Sequence, residues 1–185
     1  MTNNPFAVFD IDGTLIRWQL YHGICDELAR QKLIDPAGFE QVKAARMNWK
    51  RRTGEESFRE YERLMIKVFD KALVGLSVAD FALAADSVFE EYKEQVYTYT
   101  RDLIRELKSK GYLLLAISGA PTIILEKMAS FYGFDDYAGT VFLSEGGKYT
   151  GEKELSVLKK SEVLNQLANK HDASFRDSLA VGDSE

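Results

Sequence analysis

The sequence has little cysteine, histidine or proline, and it contains no long apolar run. Its one cysteine, Cys25, excludes an internal disulfide and is typical of a reducing compartment. The two histidines, His22 and His171, have no ligand partners at the spacing of a zinc site. The longest apolar strings, such as 112–117, are far shorter than the roughly 20 residues of a transmembrane helix. Residues 1–5 also lack the basic and apolar regions of a signal peptide, so the sequence predicts a cytoplasmic protein without a membrane segment.

The charge balance argues against a nucleic-acid partner. The chain has 24 basic and 29 acidic residues and a net charge of -5, whereas nucleic-acid-binding proteins carry basic patches or stripes. Its 185 residues, of which 45% are hydrophobic, are enough for a full-sized core. This length predicts one domain, or one domain with a large insertion. The sequence does not indicate an oligomeric state.

The order of apolar patterns predicts an α/β fold with a Rossmann-like parallel sheet. A short buried strand at Phe6–Phe9 is followed by about eighty residues with helical spacing, broken at Asp35-Pro36, at Thr53-Gly54 and near Ser77. Pro36 suits a first helical position and Ser77 an N-cap. After Gly111 the strand–helix alternation resumes. We therefore expect an α/β core formed by residues 1–16 and 101–185, with an inserted all-helical domain at residues 17–100.

The later part of the chain supplies the remaining core elements. We expect strands at 112–117 and 179–181, helices at 121–132 and 158–168, and a hairpin or flap in which residues 141–143 and 149–150 flank Gly146-Gly147. Gly133 is expected to end the first of these helices.

Two aspartates follow the first predicted strand. In Asp10-Ile11-Asp12-Gly13-Thr14 the alternation places both carboxylates on one side if the strand geometry continues. Like charges at this distance repel, so either a cation is bound or one carboxyl stays protonated. This pattern suits a magnesium site with a nucleophilic carboxylate and a neighbouring acid. The structural alternative is a strand that ends in an Asp-Gly turn.

Other polar residues follow the later strands, where open parallel sheets bind their ligands. Ser118 and Gly119 precede a predicted helix and suit either an anion site or simple capping. Asp183 follows the last strand and can provide a further oxygen ligand for a hard cation, or lie in a surface turn. Lys160, or its neighbour Lys159, can supply a positive charge from the helix before that strand; a solvated lysine pair is the alternative.

These motifs together resemble the haloacid dehalogenase superfamily of phosphatases over nearly the whole chain. The helical insertion resembles the family's C1 cap, and Gly147–Gly151 resembles the hairpin of the phosphoserine phosphatase-like branch, subfamily IB. Lys160 lies 23 positions before Asp183, a spacing similar to that of the motif-three lysine in this branch. The motifs that carry the resemblance are Asp10–Thr14 for motif one, Ser118 with Gly119 for motif two, Lys160 for motif three and Gly182-Asp183 for motif four.

The resemblance implies an Mg2+-dependent phosphatase that acts on a small phosphorylated metabolite. Asp10 would be the nucleophile and Asp12 the general acid and base. The phosphate would be bound by Ser118, Gly119 and Lys160, and the metal by Asp10, Asp12 and Asp183. For Asp12 the expected metal ligand is its backbone carbonyl.

The chain departs from the family pattern at two places. Relatives have a second acidic residue a few positions after the motif-four aspartate, but this chain stops at Glu185. We therefore expect the chain to be a fragment of a longer protein. Relatives that cleave phosphoserine have a glutamate where this chain has Gln19, and a neutral amide attracts an ammonium group less. Gln19, Arg51 and Arg52 are candidate substrate-binding residues; for the two arginines, a solvated helix surface is the alternative.

Several functions stay open at this point. They are a phosphoserine phosphatase proper, a phosphomutase of the same fold, a dehalogenase, and a C-terminally truncated, non-catalytic binding module. The second aspartate favours phosphate chemistry over dehalogenation, because a dehalogenase does not need an acid at that position.

Overall fold

The computed structural model describes residues 4–154 and 160–183. Within them, seven helices and five strands follow the predicted order, with five successive helices between the first two strands. The helices are α1 (Leu20–Arg30), α2 (Pro36–Lys50), α3 (Ser57–Leu73), α4 (Val78–Tyr92), α5 (Thr98–Ser109), α6 (Thr122–Tyr132) and α7 (Lys160–Lys170). The strands are β1 (Pro5–Phe9), β2 (Leu113–Pro121), β3 (Asp136–Glu145), β4 (Lys148–Glu154) and β5 (Ser174–Val181).

The sheet has the strand order β4-β3-β2-β1-β5. Strand β1 pairs in parallel with both β2 and β5, and β2 pairs in parallel with β3. Phe9, the last residue of β1, is in register with Ala116 of β2 and with Val181 of β5. The residues that follow these three positions therefore lie side by side at the carboxyl ends of β1 and β5, where ligands of open parallel sheets bind, although β2 itself continues to Pro121.

Helix α7 packs on one face of this sheet. Leu167 and Ala168 lie in a buried cluster with four residues of β1 and β2, namely Phe6, Val8, Leu115 and Ile117. Burial of each large apolar side chain contributes about 1.5–3 kcal/mol. This packing holds α7 against the two central strands, and its first residue, Lys160, is part of the site described below.

The chain divides into two compact units. The first contains residues 1–21, 85–141 and 153–185, and the second contains residues 22–84 and 142–152. The second unit is built from helices and the tip of the β3–β4 hairpin. Backbone hydrogen bonds of 2.9 Å join Gly75 to Tyr149 and Tyr149 to Leu76, and an aromatic cluster forms its core: Phe69, Phe81, Phe142 and Tyr149. The domain boundaries at residues 16 and 101 stay a prediction.

Most predicted elements are confirmed, including two helix starts. Asp35 accepts a hydrogen bond from the amide of Gly38 at 3.0 Å, with Pro36 in the first turn of α2. Ser77 accepts a hydrogen bond from the amide of Ala79 at 3.1 Å at the start of α4. Gly133 ends α6 with a left-handed φ of 77°. Leu158 and Lys159, at the predicted start of the helix before the last strand, lie outside the described residues.

Several strands are longer than the sequence predicts; β5, for example, begins at Ser174 rather than at Leu179. Strand β2 continues past Ile117 to Pro121, and β3 begins at Asp136 rather than near Val141. The added residues include glycines and polar side chains, which form no apolar run. Pairing with the neighbouring strand, rather than local propensity, decides their conformation.

In the part of the chain that the structure describes, no helix is both long enough and apolar enough to span a membrane.

Replacement of a core leucine tests the packing of α6. Leu125 of α6 is fully buried, whereas Leu83 of α4 is 60% exposed. We expect Leu125→Ala to lower the free energy of unfolding by about 2–5 kcal/mol, because it leaves a cavity. We expect Leu83→Ala, the same change on a helix surface, to have an effect within about 0.5 kcal/mol. Chemical denaturation measures both; equal effects would contradict the packing described here.

Candidate active site

The chain turns sharply after β1 and exposes polar groups at the sheet edge. The amide of Asp10 donates to the carbonyl of Val181 at 2.9 Å, which keeps β1 and β5 paired up to the turn. The carbonyl of Ile11 then accepts from the amides of Leu15 and Ile16, each at 2.9 Å. Ile11 itself is fully buried and anchors the loop. Gly13 has a φ of +75°, a conformation that glycine adopts without strain.

The carboxylate of Asp12 accepts two hydrogen bonds. Its Oδ1 accepts from the backbone amide of Leu20 at 2.7 Å, and its Oδ2 accepts from the hydroxyl of Ser118 at 2.9 Å. The pKa of Asp12 is raised to about 6, mainly by burial; the two hydrogen bonds oppose this rise, and the charges of Asp10 and Asp183 contribute to it. A carboxyl with this pKa can hold or release a proton near neutral pH.

The carboxylate of Asp10 faces a cation instead. Its Oδ2 lies 3.2 Å from the ammonium of Lys160, the first residue of α7. The Asp10 side chain is 15% exposed and the Lys160 side chain 44% exposed. The prediction that Lys160 reaches the end of β1 is thus supported by the structure, whereas Lys159 lies outside the described residues.

Asp183 lies against the backbone of Gly13. A Cβ atom built on Gly13 would be 2.3 Å from Oδ2 of Asp183, so only glycine leaves room for this carboxylate. The structure therefore brings together residues from the ends of β1, β2 and β5 and from the start of α7. They are Asp10, Asp12, Ser118, Lys160 and Asp183.

Ser118 does not cap α6. Pro121 is the N-cap residue of this helix and makes no side-chain capping bond. Ser118 is instead fully buried, and its hydroxyl oxygen accepts a hydrogen bond from the amide of Ala120 at 3.0 Å while it donates to Asp12. The capping alternative is therefore wrong, and the hydroxyl belongs to the site.

The carboxylate groups of this site suit a hard cation that binds only a few protein ligands. In residues 4–154 and 160–183, no three histidine, cysteine, aspartate or glutamate side chains form a metal-binding cluster. Both oxygens of Asp12 accept hydrogen bonds, and those of Asp10 accept from the amide of Ile11 at 2.8 Å and from Lys160 at 3.2 Å. Asp10, which lines an open cavity, and Asp183 are the candidate side-chain ligands. Mg2+ is commonly bound by one or two carboxylates and keeps several waters. The donor set thus fits Mg2+, with the carbonyl of Asp12 as the third candidate.

An open cavity adjoins the Asp10–Lys160 pair. Its volume is about 380 Å3, and its wall includes the apolar side chains of Ile117 and Leu164 together with Gly182. The cavity leaves the carboxylate of Asp10 accessible, whereas Asp12, Ser118 and Asp183 do not line it.

The candidate substrate-binding residues are distributed over both units. Gln19 lies in the first unit, half-buried, immediately before α1. Arg51 and Arg52 lie in the second unit, exposed after the end of α2, and Arg52 has a φ of 53°. Their roles in substrate binding stay predictions.

One contact of the site has no signal in the sequence. The amide of Leu20 binds Asp12, and a backbone donor leaves no trace in the choice of side chain.

A family model for haloacid dehalogenase-like hydrolases matches residues 7–185. The chain belongs to this family. The phosphoserine phosphatase of Methanocaldococcus jannaschii is 26% identical to this haloacid dehalogenase-like chain, over 95% of the chain and 75% of that protein. The phosphoserine phosphatase of Archaeoglobus fulgidus is 25% identical over 95% of the chain and 46% of that protein. The chain thus spans three quarters of one relative and under half of the other.

The solved structures confirm the fold. A phospho-aspartyl intermediate analogue of phosphoserine phosphatase superposes with a TM-score of 0.62 at 22% identity, over 97% of this chain and 78% of the other. This likeness supports the haloacid dehalogenase-like α/β fold predicted from the sequence.

The contact between Gly13 and Asp183 can be tested with a matched glycine pair. Gly13 and Gly75 both have positive φ, +75° and +79°, but nothing lies within 4 Å of a Cβ atom built on Gly75. Alanine at either position brings backbone strain, and only Gly13→Ala displaces the Asp183 carboxylate. We expect Mg2+ to raise the melting temperature of Gly75→Ala, as in the parent chain, and not that of Gly13→Ala. If Mg2+ raises the melting temperature of both variants equally, the Asp183 carboxylate beside Gly13 is not a metal ligand.

The raised pKa of Asp12 predicts a pH-dependent stability. Between the ordinary value of 3.8 and about 6, the folded chain keeps a proton that the unfolded chain loses, so stability falls as pH rises through this window. In Mg2+-free buffer, we expect the parent chain to lose about 1–3 kcal/mol relative to Asp12→Asn between pH 4 and pH 7. Denaturation curves at several pH values measure this difference; parallel profiles for the two proteins would contradict the assignment.

Proposed function

We propose that this chain hydrolyses a small phosphate monoester through an aspartyl-phosphate intermediate. The observation that carries the proposal is the different environment of two carboxylates two residues apart. Asp10 is paired with Lys160 and adjoins an open cavity, whereas Asp12 is bound by Leu20 and Ser118 and has a raised pKa. One is suited to attack as a carboxylate and the other to transfer a proton.

In the first half of the reaction, a carboxylate oxygen of Asp10 attacks phosphorus. The bond between phosphorus and the alcohol oxygen breaks, and Asp12 donates its proton to the leaving alcohol. In the second half, Asp12 accepts a proton from a water molecule, which attacks the phosphoryl group and releases Asp10 and inorganic phosphate. Asp12 thus returns to its protonated state after each cycle.

The remaining residues bind and neutralise the phosphoryl group. Lys160 supplies a positive charge, and the hydroxyl of Ser118 and the amide of Gly119 supply hydrogen-bond donors. Mg2+, held by Asp10, Asp183 and the carbonyl of Asp12, supplies further charge neutralisation when bound. Phosphoryl transfer depends mainly on positioning and electrostatic stabilisation, which this set of residues can provide.

The substrate is proposed at the level of its class. The names of the two archaeal relatives suggest phosphoserine, but Gln19 lacks the negative charge that attracts an ammonium group. A small phosphorylated metabolite is therefore the proposed substrate, and a cytoplasmic location of the protein is proposed from its low cysteine content.

A phosphomutase uses the same first half-reaction, and a requirement for a bisphosphate activator would reveal one. A non-catalytic module would not need the proton-donating environment of Asp12.

Replacement of the nucleophile tests this proposal. We expect Asp10→Asn to lower the hydrolysis of p-nitrophenyl phosphate in Mg2+ by about a thousand-fold or more, because an amide oxygen is a poor nucleophile. Removal of Mg2+ with EDTA should abolish the activity of the parent chain. The matched control is Asp86→Asn. Asp86 lies outside the site and pairs with Lys127 at 2.6 Å, and we expect this variant to keep full activity. Normal turnover by Asp10→Asn would exclude Asp10 as the nucleophile.

A further inference from the structure

The ladder between β2 and β3 is interrupted beside the site. Ile117 is in register with Ala138, and the next registered pair is Pro121 with Thr140. Four steps along β2 therefore correspond to two steps along β3, so Ser118, Gly119 and Ala120 together lie opposite Gly139. A regular ladder cannot satisfy all the backbone groups of such a bulge.

Two buried hydroxyl groups satisfy the peptide between Gly119 and Ala120. The hydroxyl of Thr140 donates to the carbonyl of Gly119 at 2.8 Å. The amide of Ala120 donates to the hydroxyl oxygen of Ser118 at 3.0 Å. Thr140 is 1% exposed and Ser118 is fully buried, so water does not compete for these bonds. The peptide is thereby held at both its oxygen and its nitrogen.

Strand β3 can come this close because position 139 has no side chain. A Cβ atom built on Gly139 would lie 2.8 Å from the carbonyl oxygen of Ala120 and 3.1 Å from the Cα atom of Thr122. The hydroxyl of Thr122 at the start of α6 donates to the backbone carbonyl of Thr140 at 3.1 Å, a bond that involves neither the Thr140 hydroxyl nor residues 118–120.

The held peptide determines which way the Ser118 hydroxyl points. The Ala120 amide occupies a lone pair of the Ser118 oxygen, so the hydroxyl hydrogen is directed to Asp12, whose Oδ2 lies 2.9 Å away. We propose that Thr140 is a positioning residue, which holds the segment Ser118–Ala120 so that the Ser118 hydroxyl, which donates to Asp12 in this structure, can turn its hydrogen to a bound phosphoryl group beside the Gly119 amide. This inference rests on the proposed phosphatase function, in which Ser118 and Gly119 are phosphate ligands.

Three variants separate positioning from general packing. Thr140→Val keeps the shape of the side chain and removes its hydroxyl, whereas Thr140→Ser keeps the hydroxyl. Thr122→Val is the matched control, because it removes a neighbouring hydroxyl-to-carbonyl bond that does not end on the segment. We expect Thr140→Val to lower kcat/KM for p-nitrophenyl phosphate about tenfold and to weaken inhibition by inorganic phosphate to a similar extent. Thr140→Ser and Thr122→Val should stay within about threefold of the parent chain.

Amide hydrogen exchange provides a readout that does not need turnover. We expect the Ala120 amide to exchange at least about tenfold faster in Thr140→Val than in Thr122→Val, while the amide of Leu114 in the middle of the sheet is unchanged. Equal kinetics and phosphate inhibition in Thr140→Val and the parent chain would overturn the inference, as would failure of Thr140→Ser to restore them. If the parent chain hydrolyses no phosphate ester, the proposed function fails. The exchange rates of the Ala120 amide then decide separately whether Thr140 holds this segment. Equal rates in Thr140→Val and Thr122→Val would overturn the positioning role of Thr140.

Discussion

The repulsion between three carboxylates at one sheet edge is the constraint that the site has to satisfy. Each aspartate meets it in a different way. Asp10 is paired with Lys160, Asp12 is hydrogen-bonded and retains a proton to a higher pH, and Asp183 lies against the bare backbone of Gly13. Because the three solutions differ, the groups also differ in chemistry. In the proposed function, one residue type thus provides the nucleophile, the acid and a candidate metal ligand.

The parallel sheet is what brings these groups together. Phe9 is in register with Ala116 on one side and Val181 on the other, so residues more than a hundred positions apart leave the sheet at the same edge. Helix α7, held on the sheet through Leu167 and Ala168, brings Lys160 to that edge. The core packing therefore fixes the distances on which the chemistry depends, and the raised pKa of Asp12 is an electrostatic cost that this packing offsets.

The sequence predicted the parts of the site that depend on residue type and spacing. The Asp10-Ile11-Asp12-Gly13-Thr14 motif, Ser118 and Asp183 each follow a predicted strand, and the parallel alternation indicated that they converge. Helix starts at Pro36 and Ser77 were predictable because local hydrogen bonds decide them. Strand β3 was harder to predict, because its residues 136–140 contain glycine and polar side chains and their conformation depends on pairing with β2.

The part of the site that the sequence could not predict is the bulge between β2 and β3. Its geometry depends on register, and register is a property of two strands together rather than of either one. Once the register is known, the roles of Gly139 and Thr140 follow from sterics and hydrogen bonding alone. A threonine in a strand is otherwise common, because its branched side chain suits a strand as that of valine does. Its hydroxyl acquires a function only because the opposite strand has more residues than the ladder can pair.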